Sequence, residues 1–124
     1  PLGISDAKTI CDLMTAIGLN KLLENIGYNL DVVVGERGIY LSGGQKQRLL
    51  IVKTILCSPE YIILDESTSA LDNLSQSFVI KLLAEYCSHS KIILITHRVE
   101  MLGLCDVVYH IQDKKLVESL GVGR

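Results

Sequence analysis

The chain has 124 residues, of which 48% are hydrophobic and 21% are charged, which is the size and composition of one small domain with a single buried core. Its 12 basic and 14 acidic residues give a net charge of −2, and the lysines and arginines do not cluster. This pattern does not favour a nucleic-acid or anionic-membrane surface, and the longest apolar runs are too short to cross a bilayer.

The first 40 residues predict two helices followed by a loop. Ser5 is a candidate N-cap for a helix whose apolar residues recur at helical spacing, and Gly18 is its expected stop. Asn20 is a candidate cap for a short second helix. Residues 27–40 contain three glycines and a run of valines, which indicates a loop.

A longer helix is predicted from about Gly43 to Cys57, and it ends before Ser58-Pro59 because the residue before a proline avoids the helical region. The segment LSGGQKQR, residues 41–48, puts a serine and two glycines at the start of this helix. A helix N-terminus has unpaired N–H groups and a partial positive charge, and glycine lets an anion approach the backbone closely. The pattern therefore predicts a phosphate-facing helix start.

Strands and helices alternate through the rest of the chain. Apolar runs over residues 61–64 and 91–96 have the pattern of buried strands, and a helix is predicted between them over about residues 73–87. Strands over 106–112 and 115–119 would pair as a hairpin. The predicted apolar face of the helix comprises Phe78, Val79, Leu82, Leu83 and Tyr86. This order predicts an α/β layer fold with a mostly parallel sheet and flanking helices.

The four cysteines have no CxxC spacing, and each falls in or beside an apolar segment. We interpret them as small buried thiols rather than as a metal site or a disulfide framework. They are Cys11, Cys57, Cys87 and Cys105.

Polar residues follow both predicted buried strands. Asp65 and Glu66 come directly after the first strand, and His97 follows the second. Ligands of open α/β sheets bind at the carboxyl ends of strands, where one acid can hold Mg²⁺ through water and another can orient a nucleophilic water. A solvated strand end explains the acids equally well, and a hydrogen-bonded strand-end histidine explains His97. We interpret His89 and His110 as surface or structural residues.

The sequence motifs of this chain occur in an order that resembles the ATP-binding domain of ABC transporters. That family has a signature LSGGQ, then an aliphatic strand with Asp-Glu, then an S-A-L-D loop, then a strand ending in His; here they are residues 41–45, 62–66, 69–72 and 95–97. The segment VGERG at 34–38 is similar to a loop of exporter-type members that faces the transmembrane domain. The resemblance covers nearly the whole chain and implies a P-loop NTPase-like fold.

The resemblance also implies roles for residues on the nucleotide. The family works as a head-to-tail dimer with two ATP molecules at the interface, and the signature contacts the γ-phosphate of ATP held mainly by the partner. Asp72 would lie at that interface and couple the two sites. The signature residues carried over as nucleotide-binding are Ser42, Gly43, Gly44 and Gln45.

Three further residues would act in hydrolysis. By the same resemblance, Asp65 would act on Mg²⁺, Glu66 would polarise the attacking water, and His97 would contact the γ-phosphate. Positioning and electrostatic stabilisation of this kind supply most of the catalysis in phosphoryl transfer. The cofactors implied are therefore ATP and Mg²⁺.

The family's phosphate loop, G-x-x-x-x-G-K-[ST], does not occur in the sequence, since no glycine is followed by lysine. We therefore expect the C-terminal part of the domain: residues 1–40 from the helical subdomain with the exporter-type loop, and residues 41–124 from the ATPase core. The expected partners are the missing N-terminal half, a second nucleotide-binding domain and a transmembrane domain, on the cytoplasmic side of a membrane. Nucleic acid is not expected as a partner.

Two classes of function fit these motifs. The first is the ATPase of an exporter, with this part inactive by itself because it has no phosphate loop. The second is a non-catalytic module that pairs with a partner and completes the partner's site through the signature. A relative in DNA repair or translation is a third class, and the VGERG segment and acidic net charge argue against it.

One local departure from the family concerns the turn of the predicted hairpin. The family often has a glycine there, whereas this chain has Asp113-Lys114. A lysine with positive φ would cost roughly 1–2 kcal/mol, so we expect a turn of another type.

Overall fold

A computed structural model describes residues 6–65 and 76–119. In chain order, its elements are α1 (Ala7–Ala16), α2 (Asn20–Asn25), α3 (Gly43–Cys57), β1 (Tyr61–Asp65), α4 (Gln76–Tyr86), β2 (Lys91–Ile95), a 3₁₀ helix (Val99–Leu104), β3 (Val108–Gln112) and β4 (Lys115–Ser119). Every helix and strand predicted from the sequence is present, and the predicted start of α4 at about residue 73 lies outside the described residues. The alternation of helices and strands is that of an α/β fold.

Helix α1 is capped by Asp6, so the prediction that Ser5 is the cap is wrong. The Asp6 backbone is extended, and its carboxylate accepts a hydrogen bond from the Thr9 amide at 2.7 Å. This is the usual cap geometry, in which the side chain pairs an amide that the helix leaves free. Ser5 itself lies outside the described residues.

The end of α1 leads directly into α2. Gly18 has φ +83°, and the amides of Gly18 and Leu19 donate to the carbonyls of Thr15 and Met14, which is the Schellman motif. The prediction that α1 stops at Gly18 is thus confirmed. Asn20 is not a cap, however: it is the first residue of α2. Leu19 holds the cap position; its side chain has no group that could accept a hydrogen bond, and it is buried in the core.

Within residues 6–65 and 76–119, the strands form two two-stranded sheets rather than one mostly parallel sheet. Strands β1 and β2 are parallel, with Tyr61 opposite Lys91 and Asp65 opposite Ile95. Strands β3 and β4 form the predicted antiparallel hairpin and pair only with each other among the described residues. The parallel arrangement is therefore confirmed for β1 and β2 alone.

The two faces of the parallel pair differ. Ile62 is buried in the core, whereas Ile63, Ile93 and Ile95 on the opposite face are about half exposed or more. Side chains alternate between the faces of a strand, so helices α3 and α4 cover one face and leave an apolar surface on the other. We call Ile63, Ile93 and Ile95 the open sheet face.

The core lies between the four helices and the covered face of β1. Its buried members are Leu13, Met14, Ile17, Leu19, Leu22, Leu23, Leu41, Ile51, Val52, Ile55, Ile62, Val79, Leu82, Leu83 and Cys87. In α4 the predicted apolar face is partly wrong, because Phe78 and Tyr86 are exposed and Ile80 is buried instead. The buried stripe is centred on Val79 and Leu83, one turn apart, and the two aromatic residues lie at its margins.

The hairpin turn has positive φ at both central residues, so the expectation of another turn type is wrong. Asp113 has φ +49° and Lys114 has φ +61°. Positive φ at both positions is characteristic of the type I′ turn, whose twist matches that of the flanking strands. The strand pairing thus imposes a backbone conformation that lysine adopts only with strain.

The cysteines are all free thiols, but they are not all buried as predicted. Cys87 is buried, Cys11 and Cys105 are half-buried, and Cys57 is exposed. Cys57 is the last residue of α3, beyond the part of the helix that packs on the core. No helix within residues 6–65 and 76–119 is long and apolar enough to span a bilayer.

Candidate functional site

The start of α3 is held by a reciprocal capping box. The Ser42 hydroxyl accepts a hydrogen bond from the Gln45 amide at 3.2 Å, and the Gln45 side-chain oxygen accepts one from the Ser42 amide at 2.9 Å. The sequence S-G-G-Q encodes this arrangement, since a capping box needs Ser or Thr at the cap and Glu or Gln three residues later. The first turn is therefore formed by its own side chains.

The capping box leaves two amides of the first turn available. Gly43 and Gly44 follow the cap, and neither amide has a hydrogen-bond partner within the described residues. A Cβ added at Gly43 would meet nothing within 4 Å, so the backbone at this position is not covered on its Cβ side. The Ser42 oxygen accepts a bond, but its O–H can still donate outward. Three donors at a helix N-terminus form a cradle for an anion.

The charge around this helix start favours an anion. The first turn of α3 contains no acidic residue, so no side chain within this turn opposes the partial positive charge of the helix N-terminus. A recess of about 270 Å³ lies between this turn and the α1–α2 connection, and it has Lys21 and Arg48 in its wall and no acid. The wall also includes Gly18, Leu19, Leu22, Ser42, Gly44 and Gln45.

A second group of candidate residues lies at the carboxyl edge of the parallel pair. Asp65 is the last residue of β1 and is opposite Ile95, and His97 follows Ile95 by two residues. Both side chains are exposed. Parallel strands end at the same edge of a sheet, so the acid and the imidazole both follow strand ends at one edge.

The remaining predicted site residues cannot be placed. Glu66 and Asp72 lie in the segment 66–75, outside the described residues. Neither Asp65 nor His97 is part of the recess at the start of α3. The described part of the chain thus presents two distinct polar groups, one at the helix start and one at the strand ends.

The donor set limits the kind of metal site that these residues can form. Within the described ranges, no group of three or more His, Cys, Asp and Glu side chains could enclose a metal ion. The exposed carboxylate of Asp65 suits a hard cation whose remaining ligands are water and phosphate oxygens, as is usual for Mg²⁺. A structural zinc site does not fit the described residues.

A larger cavity of about 320 Å³ lies between α3, α4 and the covered face of the parallel pair. Its wall is mainly apolar, with Leu50, Ile51 and Val79 among its residues. Asp65 and Gln76 also contribute to the wall, and these two residues border the undescribed segment 66–75. We therefore assign no ligand to this cavity.

The sequence analysis did not predict the capping box, and it missed a long-range contact of the helix start. The Arg48 guanidinium donates through Nη1 to the Gly18 carbonyl at 3.2 Å, which joins α3 to the turn between α1 and α2. The two residues are 30 positions apart, so no local pattern could have paired them. The only sequence signal was the presence of arginine one turn after the glycines.

Comparison with known proteins gives one consistent family. A model of the family described as ABC transporter matches residues 6–69. The chain is 37% identical over 103 residues to "ATP-binding cassette sub-family B member 6" of Mesocricetus auratus, and 34% identical over 114 residues to "ABC transporter B family member 16" of Arabidopsis thaliana. It is 38% identical over 101 residues to "Uncharacterized ABC transporter ATP-binding protein YwjA" of Bacillus subtilis.

These matches cover most of the chain and a small part of each relative. They include 83%, 92% and 82% of the chain, respectively. The same matches span 12%, 9% and 18% of the three relatives. The chain thus spans less than a fifth of the length of these curated relatives.

Proposed function

The chain belongs to the ABC transporter family, and we propose that it is the C-terminal part of the ATP-hydrolysing domain of an exporter. In this proposal, ATP is bound and hydrolysed at the interface of a head-to-tail dimer on the cytoplasmic side of a membrane. The observation that carries the proposal is the start of α3, where the capping box fixes a helix N-terminus whose Gly43 and Gly44 amides have no hydrogen-bond partner within the described residues.

The helix start supports binding of the terminal phosphate. The amides of Gly43 and Gly44 and the hydroxyl of Ser42 would donate to γ-phosphate oxygens, while Gln45 holds the serine in place through the capping box. The helix dipole adds to the attraction, and the nearby cations offset the negative charge of the nucleotide. Donors that are already oriented cost little reorganisation when charge develops in the transition state.

The residues at the ends of β1 and β2 support the proposal that the domain hydrolyses ATP. Asp65 would hold Mg²⁺ through water, and Mg²⁺ bound between phosphate oxygens neutralises their charge during transfer. Glu66 would orient and polarise the attacking water, and His97 would hold the γ-phosphate. Asp72 would couple the two sites of the dimer. The roles of Glu66 and Asp72 rest on the motifs alone.

The two polar groups would serve different nucleotides. The helix start of one subunit would complete the site whose ATP is held mainly by the partner, and the strand ends would act on the ATP of their own subunit. The separation of Asp65 and His97 from the recess at α3 is consistent with this division. A second nucleotide-binding domain and a segment with a phosphate loop are therefore the expected partners.

The loop before α3 supports contact with a transmembrane domain. Val33, Val34 and Tyr40 are at least half exposed, which leaves an apolar surface on the exporter-type loop. The loop is held by backbone hydrogen bonds from Ile39 to the Val33 carbonyl and from Gly35 to the Ile39 carbonyl. A Cβ at Gly38 would overlap the Val33 carbonyl, so this fold of the loop needs glycine there.

One observation favours the second function, a non-catalytic module that completes a partner's site. The 124 residues contain the signature but no G-x-x-x-x-G-K-[ST] loop. They therefore lack the loop that binds the phosphates of the nucleotide. In this case the anion cradle at α3 would still bind, and hydrolysis would depend on the partner's acids.

The deciding experiment measures ATP hydrolysis with Mg²⁺ by the chain alone and mixed with a separately produced segment that carries the phosphate loop. We expect no turnover alone, turnover on mixing, and its loss in Glu66→Gln. Glu60→Gln is the matched control, because it removes the same charge just before the opposite end of β1.

Two other outcomes of the hydrolysis experiment would contradict parts of this proposal. Turnover of ATP by the chain alone would contradict the proposal that a separate segment with the phosphate loop is needed to bind the nucleotide. Association of the two segments without turnover would contradict the ATPase proposal and favour the non-catalytic module.

A further inference from the structure

The side chain of Arg48 lies on the same face of α3 as the phosphate-facing turn. Arg48 is four residues after Gly44 and three after Gln45, and residues at these spacings are neighbours on one helix face. Long side chains on a helix point toward its N-terminus, so the guanidinium extends toward the helix start. All three residues lie in the wall of the same recess.

One hydrogen-bond partner of Arg48 is a backbone atom with a fixed position. The Gly18 amide is already used in the Schellman turn, where it donates to Thr15 at 3.0 Å, and the Gly18 carbonyl accepts from Arg48 Nη1 at 3.2 Å. This turn follows α1, whose Leu13, Met14 and Ile17 are buried in the core. The carbonyl is therefore a rigid anchor for a charge-assisted hydrogen bond.

The glycine at position 18 lies against the guanidinium, and its backbone conformation is what requires glycine. A Cβ added there would lie 3.4 Å from Arg48 Nη1 and 3.9 Å from Cζ, and the φ of +83° is strained for any other residue. Apolar packing between α1 and α3 has no direction, whereas a hydrogen bond from a planar guanidinium does. The contact can thus set how the start of α3 is oriented on the α1–α2 connection.

We propose that Arg48 is a positioning residue for the phosphate-facing turn of α3, acting through its hydrogen bond to the Gly18 carbonyl. The proposal rests on the function given above, in which Ser42, Gly43 and Gly44 contact the γ-phosphate. Arg48 itself does not touch the nucleotide in this role. It limits the motion of the turn that does.

Amide hydrogen exchange of the 124-residue chain tests the positioning without any nucleotide. The amides of Ser42 and Gln45 report on the turn because each is hydrogen-bonded in the capping box. In Arg48→Met, which keeps the apolar stem, we expect both to exchange about fivefold faster, the factor expected for one net hydrogen bond. Arg48→Lys keeps one donor and should restore most of the protection.

The control is Lys53→Met, which removes an exposed cation from the same helix. Exchange at Ser42 and Gln45 should not change in this variant, and exchange at Ile55, near the other end of α3, should not change in Arg48→Met. Equal acceleration along the whole of α3 in Arg48→Met would overturn the proposal, because it would indicate a loss of general stability. Unchanged exchange at Ser42 and Gln45 would also overturn it.

A second readout links the contact to hydrolysis. In the mixture with the phosphate-loop segment, Arg48→Met should raise the KM for ATP or lower kcat by about fivefold, with recovery in Arg48→Lys. If the native chain gives no turnover, the proposed function fails and the exchange result still decides the role of Arg48. If the native mixture hydrolyses ATP and Arg48→Met changes neither KM nor kcat, the positioning role of Arg48 fails while the proposed function stands.

Discussion

At the scale of single residues, the cysteines show how the surroundings set reactivity. Burial raises the pKa of the Cys87 thiol, and a hydrogen bond with the Ser90 side chain opposes this only partly. Cys57 is exposed. Because the thiolate is the nucleophile, a buried thiol with a raised pKa reacts slowly with alkylating reagents.

We therefore predict that iodoacetamide labels Cys57 first and Cys87 last in the native chain. Mass spectrometry of the peptides after a time course at neutral pH measures the order. Labelling in denaturant should make the four cysteines equivalent. Early labelling of Cys87 under native conditions would contradict its burial.

Asp6 gives a residue-scale prediction about pH. Hydrogen bonds from the Thr9 backbone and side chain lower the pKa of Asp6 below its ordinary value. The folded state thus favours the charged carboxylate, so its stabilisation is present above the ordinary pKa of about 3.9 and is lost as the pH falls through the lowered value.

In Asp6→Asn, stability should accordingly decrease less as the pH falls, because asparagine caps a helix without titrating. The measurement is the thermal midpoint between about pH 2 and 6. Asp12→Asn, which removes another exposed acid of α1 and leaves the cap intact, is the matched comparison. If the thermal midpoint fell equally steeply with decreasing pH in the native chain and in Asp6→Asn, the prediction would be contradicted.

The candidate site could be predicted from sequence where it is local. The serine cap, the two glycines and the reciprocating Gln45 lie within four consecutive residues, and their geometry follows from the capping-box rule. Contacts between distant residues could not be predicted in this way. The bond between Arg48 and Gly18 depends on how α1 packs against α3.

At the scale of elements, the turn of the β3–β4 hairpin stores local strain. Lys114 has φ +61°, a conformation that glycine adopts without cost and lysine does not. We predict that Lys114→Gly stabilises the hairpin by about 1 kcal/mol.

Amide exchange of the paired strand residues measures this directly, since the opening of the hairpin sets the exchange rate. Lys115→Gly is the matched control: it lies one residue further on, inside β4, where glycine weakens a strand. Faster exchange in Lys114→Gly than in the native chain would show that the turn does not prefer glycine.

Most elements were predictable because their apolar periodicity was clear, and the errors have physical causes. The cap of α2 was assigned wrongly because Leu19 is held by burial, which local propensity does not encode. The turn type was assigned wrongly because strand pairing overrides the preference of lysine. In α4 the two aromatic residues were counted as core because they are hydrophobic, although they lie at the margin.

At the scale of the whole molecule, the main feature is the open sheet face. Ile63, Ile93 and Ile95 are 65%, 47% and 54% exposed on one side of the parallel pair. Adjacent apolar side chains of this size on one face of a sheet are typical of surfaces that associate.

We predict that the chain by itself self-associates and is marginally stable. Sedimentation velocity across a concentration series should show a shift from monomer to larger species. The double variant Ile63→Thr and Ile93→Thr should reduce the shift, because threonine keeps the strand propensity and lowers the apolar area. A native chain that sediments as a monomer at all concentrations and melts sharply would contradict the prediction.

The capping box at the start of α3 has a kinetic consequence. Because Ser42 and Gln45 already hold each other, the turn does not need to fold when an anion arrives. Binding to a preformed surface proceeds without a slow conformational step, so the association rate should rise in proportion to ligand concentration without reaching a plateau. Differences in affinity among signature variants would then arise mainly from dissociation rates, and residence time would be the quantity that mutations at this helix start change.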